Sequence, residues 1–298
     1  MNIILSWIKM CVSLFEKSKQ CGLEMASYFV FSKGTAIVLS QVVQFVVPIA
    51  NQKSDCMISS AGHREFDAKL NSMKKKALEL INMIVGFTYT SPLATKMNTT
   101  PFFPLCATVG PQVLVSLLAV CVGRHDKLEE ILTDGQTSDL MVQQLRLLVS
   151  MLDDNSFYPL FGESKHKLIV DVALVLLRTT SAEEETVKMD PQNFFTLALD
   201  TCDRQSSDVC KTEAAKLLEG LCDHIDGALT FTSSFCCEAM RYACKGCNAA
   251  ELPDYQTLST FGADSVFLHK STPERIVETC IVAMTDISYL TPKRKDVL

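Results

Sequence analysis

Apolar residues recur along this chain in bursts of helical spacing, separated by short polar turns. The clearest burst is Val209, Ala214, Ala215, Leu217, Leu218, Leu221, Cys222 and Ile225, which returns to one side every 3.6 residues and marks a wide buried face. Asp226-Gly227 then supplies a helix stop. Upstream, Asp190-Pro191 gives an N-cap and a first-turn proline, and Phe194, Phe195, Leu197, Ala198 and Cys202 form the apolar side of the helix that follows. Small polar residues at 204–208 separate these two helices. Residues 228–247 predict a third, with Phe231, Phe235, Cys236, Ala239, Met240 and Tyr242.

The same beat continues on both sides. Ile3, Ile4, Trp7, Ile8, Cys11 and Phe15 form a helical stripe, with Trp7 as a core side chain. A stack of helices normally opens on a polar capping helix. An interior-looking first helix implies a longer protein or a covering subunit. Residues 36–50 are apolar but interrupted by Ser40, Gln41, Gln44 and Pro48, too short a run to span a membrane. Residues 63–89 predict one long helix through Phe66, Leu70, Met73, Ala77, Leu80, Ile81, Ile84 and Val85. Lys74-Lys75-Lys76 lies within it, ordinarily a solvated face, alternatively a site for an acidic partner. Pro92, Pro101 and Pro104 make residues 90–110 a loop. Residues 111–122 are apolar all round, an inner helix. Residues 126–132 and 138–152 follow, with Asp134-Gly135 as their turn. An aromatic link, Phe157 to Phe161, leads into residues 164–180, with Leu168, Ile169, Val172, Leu176 and Leu177 as core. Residues 248–271 read as a polar connection, and residues 273–290 as a last helix with Ile276, Cys280, Ile281, Met284 and Ile287 inside.

Helical units thus recur roughly every 40–45 residues, which allows about six or seven helix pairs. The predicted fold is all-α: one array over residues 1–298, a right-handed superhelical solenoid of antiparallel helix pairs of the HEAT/armadillo kind.

Composition narrows the function. Charged residues are 21% of the 298, and proline and glycine are not enriched, so the chain is not of a disordered type. A net charge of −6 argues against non-specific nucleic-acid binding, which needs a basic surface. Thirteen cysteines scattered over helical faces read as reduced core thiols of a cytosolic or nuclear protein.

Candidate chemistry is sparse. Cys236, Cys237, Cys244 and Cys247 could supply four thiolates, but the spacing is wrong for a zinc ribbon, and on one helix they would not converge. His224, beside Asp223 and Asp226, suits a helix C-terminus as a cation. No HExxH, phosphate-binding loop, GxSxG elbow or Gly-rich dinucleotide turn occurs, so no enzymatic activity and no cofactor are expected. Ser181 to Glu185, SAEEE, starts with a helix-capping pattern. Its Glu183, Glu184 and Glu185 form either a solvated loop or an acidic site that docks a basic partner segment.

The stretch from Phe157 to Ala243 resembles the HEAT repeats of the importin-β superfamily (karyopherins), in the flavour of the importin-α exporter branch. The residues that carry the likeness are Asp190-Pro191-Gln192-Asn193-Phe194 and Glu213-Ala214-Ala215-Lys216-Leu217-Leu218-Glu219-Gly220-Leu221-Cys222. The resemblance implies a nucleocytoplasmic transport receptor, or part of one, that moves between cytoplasm and nucleus. Such a receptor binds cargo, Ran·GTP and Phe-Gly nucleoporins rather than catalysing a reaction. Family members are much longer, and their Ran-contacting repeats are not recognisable in this chain. The competing reading is a HEAT-repeat scaffold subunit of a larger assembly.

Overall fold

Wherever the backbone is described, it is helix or the turn beside a helix. The computed structural model describes residues 6, 9–10, 12–13, 17, 70–83, 110–111, 113–114, 121, 128–129, 135–153, 157–162, 165–190, 206–245, 258 and 264–290, with no strand among them. Residues 191–202 of the helix predicted to start at Asp190, Trp7, Cys247 and the proline-rich stretch 90–109 lie outside the described residues. The chain divides into two compact units: Met1–Val115 with Gly135–Asp154, and Ser116–Asp134 with Asn155–Leu298.

In the first unit, residues 70–83 (α1) bury Leu70, Met73, Ala77, Leu80 and Ile81 at helical spacing, as their periodicity predicts. Gly135–Leu152 (α2) starts one residue inside the expected Asp134-Gly135 turn. It buries Leu140, Met141, Leu145, Leu148 and Leu152, so most of its circumference is covered. Polar contacts join the two helices. Lys75 pairs with Asp139, and the Asn82 amide donates to the Gln143 main-chain carbonyl at 2.8 Å and side-chain carbonyl at 3.0 Å. The contacts advance in the same sense along both helices, so α1 and α2 run parallel. The lysine triplet is not a solvated face. Lys74 is only 4% exposed, and Lys76 pairs with Glu79 at 2.6 Å. Long aliphatic stems can lie along apolar surface while their ammonium groups reach a carboxylate.

The second unit is built from Tyr158–Phe161 (α3), Lys165–Leu177 (α4), Ser181–Met189 (α5), Ser206–His224 (α6), Ala228–Cys244 (α7), Val266–Lys270 (α8), Pro273–Ile287 (α9) and a 3₁₀ turn at Ser288–Leu290. Helix α4 is its centre: every residue from Ile169 to Leu177 is buried. Leu168, expected inside, is 40% exposed. Helices α6 and α7 form an antiparallel hairpin through Ile225 to Gly227. Gly227 has φ +79°, a left-handed conformation that a glycine adopts without steric cost. The hairpin closes over Cys222, whose thiol lies 3.5 Å from the Thr232 hydroxyl. Helix α9 packs along α7, and the Cys236 and Cys280 side chains meet between them.

Helix α8 falls inside the stretch expected to be a polar connection. It has only five residues, yet Phe267 and Leu268 are buried. Both of its ends are held by α4. The Asp171 carboxylate accepts hydrogen bonds from the Ser265 hydroxyl at 2.5 Å, the Val266 N–H at 3.0 Å and the Phe267 N–H at 3.3 Å. The Ser265 hydroxyl in turn accepts from the Leu268 N–H at 3.2 Å. At the other end, Arg178 donates to the Lys270 carbonyl at 2.8 Å. A negative group thus sits at the unpaired N–H end and a positive group at the unpaired C=O end, which matches the polarity of a helix. Asp171 in α4 and Arg178 just past its end stand seven positions apart, about 10 Å of helix, enough to bracket a five-residue partner lying parallel to it.

Candidate functional site

The sequence offers Glu183, Glu184 and Glu185 as an acidic docking site on a loop. The structure places all three in the first two turns of α5 rather than on a loop. The helix caps one residue earlier than the SAEEE pattern suggests. The Glu183 N–H donates to the Thr180 hydroxyl at 3.3 Å, and the Thr180 N–H donates back to the Glu183 carboxylate at 2.6 Å. This reciprocal pair is a capping box with Thr180 as N-cap. The Glu183 carboxylate also receives the Lys211 ammonium at 2.5 Å, tying α5 to α6.

Glu184 joins a different group. Arg275, near the start of α9, donates from Nε to Glu184, from Nη1 to Glu129 at 2.9 Å and from Nη2 to the Ser181 hydroxyl at 2.9 Å. Glu129 also accepts from the Ser181 N–H at 3.2 Å and lies 3.7 Å from Arg178. The sequence Arg178, Glu129, Arg275, Glu184 alternates in sign and joins the end of α4, residue 129, α5 and α9. Its protonation follows. Burial alone would raise the Glu129 carboxyl, but hydrogen bonds from Ser181 and Arg275 outweigh it and hold it below the ordinary range. The Arg275 hydrogen bond holds Glu184 below its ordinary range as well. Two of the three acids therefore neutralise cations of their own chain, and Glu185 is exposed.

Cys236 lies in the core, where the hydrogen bond shared with Cys280 and then burial push it well above the ordinary thiol range. Cys210 is pushed up to about 12, mainly by burial. Cys244, also on α7, is exposed and all of these are free thiols. Among the described residues no group of three or more His, Cys, Asp or Glu side chains could hold a metal ion. His224 ends α6, where its ring stacks on Tyr158 at 6.0 Å between centroids.

Sequence reasoning missed a surface. Helix α9 buries Ile276, Thr279, Cys280, Ala283 and Ile287. Ile281, expected in the core, is 54% exposed, and Val282 beside it is 42% exposed. The buried positions of α9 cluster round the direction of Ile276, and Ile281, five residues on, points about 140° away from it. Ile281 and Val282 line an open groove of about 570 Å³ between the C-terminal end of α7 and the outer face of α9, together with Val277, Glu274, Glu278 and Cys244. Strict projection from Ile276 would have put Ile281 outside.

No family model, curated protein or solved structure matches the chain. Among the described residues no helix is long and apolar enough to cross a membrane.

Proposed function

We propose that this chain is a non-enzymatic protein-binding module. In this reading residues 1–298 form one array of antiparallel helix pairs, a right-handed solenoid of HEAT/armadillo type. The observation that carries it is the layering of the second unit. The α6–α7 hairpin turns tightly at Gly227, α9 packs along α7, and an apolar strip of α9 is left uncovered on the outside. A layer that is finished inside and apolar outside is suited to holding another protein.

The finer reading rests on the residue pattern around Asp190-Pro191 and Glu213 to Cys222. It is a nucleocytoplasmic transport receptor, or part of one, that shuttles between cytoplasm and nucleus and binds cargo, Ran·GTP and Phe-Gly nucleoporins. Its mechanism is a change in curvature, with Ran·GTP selecting an array shape of different cargo affinity. The test is a pull-down from nuclear extract with the full chain, with and without Ran loaded with non-hydrolysable GTP. Partners released or recruited by Ran·GTP support the transport reading. A single stable partner set indifferent to Ran moves the assignment to a scaffold subunit, a reading that the uncovered Ile281–Val282 strip also favours.

A further inference from the structure

We propose that the groove between α7 and α9 docks an amphipathic helix of a protein partner, one that carries basic residues beside its apolar stripe. The proposal deepens the protein-binding reading and is independent of Ran and transport. Three features of the groove define its occupant.

The first is shape. On α9 the lining falls into two parallel rows at four-residue spacing: Pro273, Val277 and Ile281 in one, and Glu274, Glu278 and Val282 in the other. Residues four apart stack on one helix face. Each row runs just over two turns, about 12 Å. The end of α7, at Ala243 and Cys244, lines the groove as well. A straight apolar trough of this length matches the stripe that a helix presents at i, i+4 and i+7.

The second is charge. Among the described residues, the charged side chains lining the groove are Glu274 and Glu278, both exposed. They stand about 6 Å apart along the helix axis. A partner that lays its apolar stripe on Val277 and Ile281 places its next row over these acids. Lys or Arg residues spaced three or four apart in that row meet both carboxylates.

The third is what charge rules against. A second copy of this chain, packed face to face on the same groove, would bring Glu274 and Glu278 against their own counterparts. Like charges held opposite one another oppose such a pairing. An anionic lipid surface meets the same repulsion. A basic amphipathic segment satisfies the apolar rows and the acids together.

The experiment uses the full chain and two fluorescein-labelled peptides of about 18 residues, enough for a groove-length helix. One is a Leu/Lys amphipathic helix and the other its Leu/Glu counterpart. Fluorescence anisotropy is expected to show the Leu/Lys peptide binding about tenfold or more tighter than the Leu/Glu peptide at low salt. Glu274→Gln with Glu278→Gln is expected to weaken the Leu/Lys peptide about tenfold, and Ile281→Ser to weaken it several-fold. The exposed control Asp153→Asn is expected to leave it unchanged. Saturating Leu/Lys peptide should also slow alkylation of Cys244, read by mass spectrometry, because Cys244 lines the same groove. All the substituted residues are exposed, and circular dichroism confirms that each variant is folded. Equal binding of both peptides, or undiminished Leu/Lys binding in the double Gln variant, overturns the proposal. If that happens while the pull-down still returns partners, the docking site is wrong and the protein-binding reading stands. If the pull-down returns none but the groove binds the peptide, the groove stands and the transport reading falls.

Discussion

Removing the Asp171 carboxylate should unfasten α8 from α4. In Asp171→Ala the Val266 and Phe267 N–H groups lose their acceptor, as does the Ser265 hydroxyl. Ser265 still accepts from Leu268 and its hydroxyl can rotate, so the cost falls chiefly on the two backbone donors. A buried donor left without a partner costs about 1–3 kcal/mol, so the pair costs roughly 2–6 kcal/mol. Relief of the buried carboxylate offsets part of this. Burial pushes the Asp171 carboxyl up more strongly than the hydrogen bonds from Ser265, Val266 and Phe267 and the nearby His269 pull it down. The net expectation is a loss of about 2–4 kcal/mol. At about 2–4 °C per kcal/mol for a domain of this size, the melting temperature drops by roughly 5–15 °C. The amides of residues 266–268 should exchange faster in the variant than in the parent. The pH dependence fixes the sign. A raised folded pKa means the folded state holds the Asp171 proton more tightly than the unfolded state does. The stability it contributes is therefore full below the ordinary aspartate pKa and lost as pH rises through the folded value. The stability gap between the parent chain and Asp171→Asn should widen as pH falls from 7 towards 4. A melting temperature unmoved by Asp171→Ala, with unchanged exchange at 266–268, would refute the role assigned to this carboxylate.

Three further outcomes can be checked. Glu184 has a lowered folded pKa, so its contribution is present above the ordinary glutamate range and disappears as pH falls through the folded value. Solvent screening keeps it below about 1 kcal/mol, and urea titrations of Glu184→Gln should differ from the parent at pH 7 and converge near pH 3. Gly227→Ala meets no atom within 4 Å of the new Cβ, so its cost is backbone strain alone, about 1–2 kcal/mol by denaturant midpoint. A smaller cost for Gly227→Asn would confirm that cause, since asparagine tolerates the left-handed region better. Iodoacetamide mapping under native conditions should modify Cys244 well before Cys210, Cys236 or Cys280, because burial denies all three access and also suppresses ionisation of Cys210 and Cys236. Equal rates at Cys244, Cys236 and Cys280 would mean that the α7–α9 interface opens readily.

Periodicity made the long helices legible. The end of α6 and the start of α9 follow from an apolar face ended by Asp226-Gly227 and one begun by Pro273, whereas α6 starts at Ser206, inside the polar residues expected to separate two helices. The Leu217, Leu218, Leu221 and Cys222 face is buried as its spacing predicts. What the sequence hid was set by contacts distant along the chain. Helix α8 is shorter than two turns, so it leaves no period to detect, and its caps come from Asp171 and Arg178 more than 90 positions away. The acidic triplet looked like an open docking site because Lys211 and Arg275, its partners in space, are distant in sequence. Ile281 was misplaced for the opposite reason: hydrophobicity was read where only angle decides. Residue type says what can be buried, and geometry alone says which side of a helix is inside.

The bracketing of α8 also has a consequence for biosynthesis. Asp171 and Arg178 leave the ribosome more than ninety residues before Ser265 and Lys270. At about 5–20 residues per second this is a wait of roughly 5–20 s. During that interval the Asp171 carboxylate, on a side that α4 must later bury, has none of its partners, and the Arg178 guanidinium has only Glu129, 3.7 Å away in the finished fold. The most apolar helix of the second unit is thereby kept wet at two points until the last helices arrive. The same two side chains that lock the finished fold delay its closing, and they guard a nascent chain against collapsing around an incomplete core.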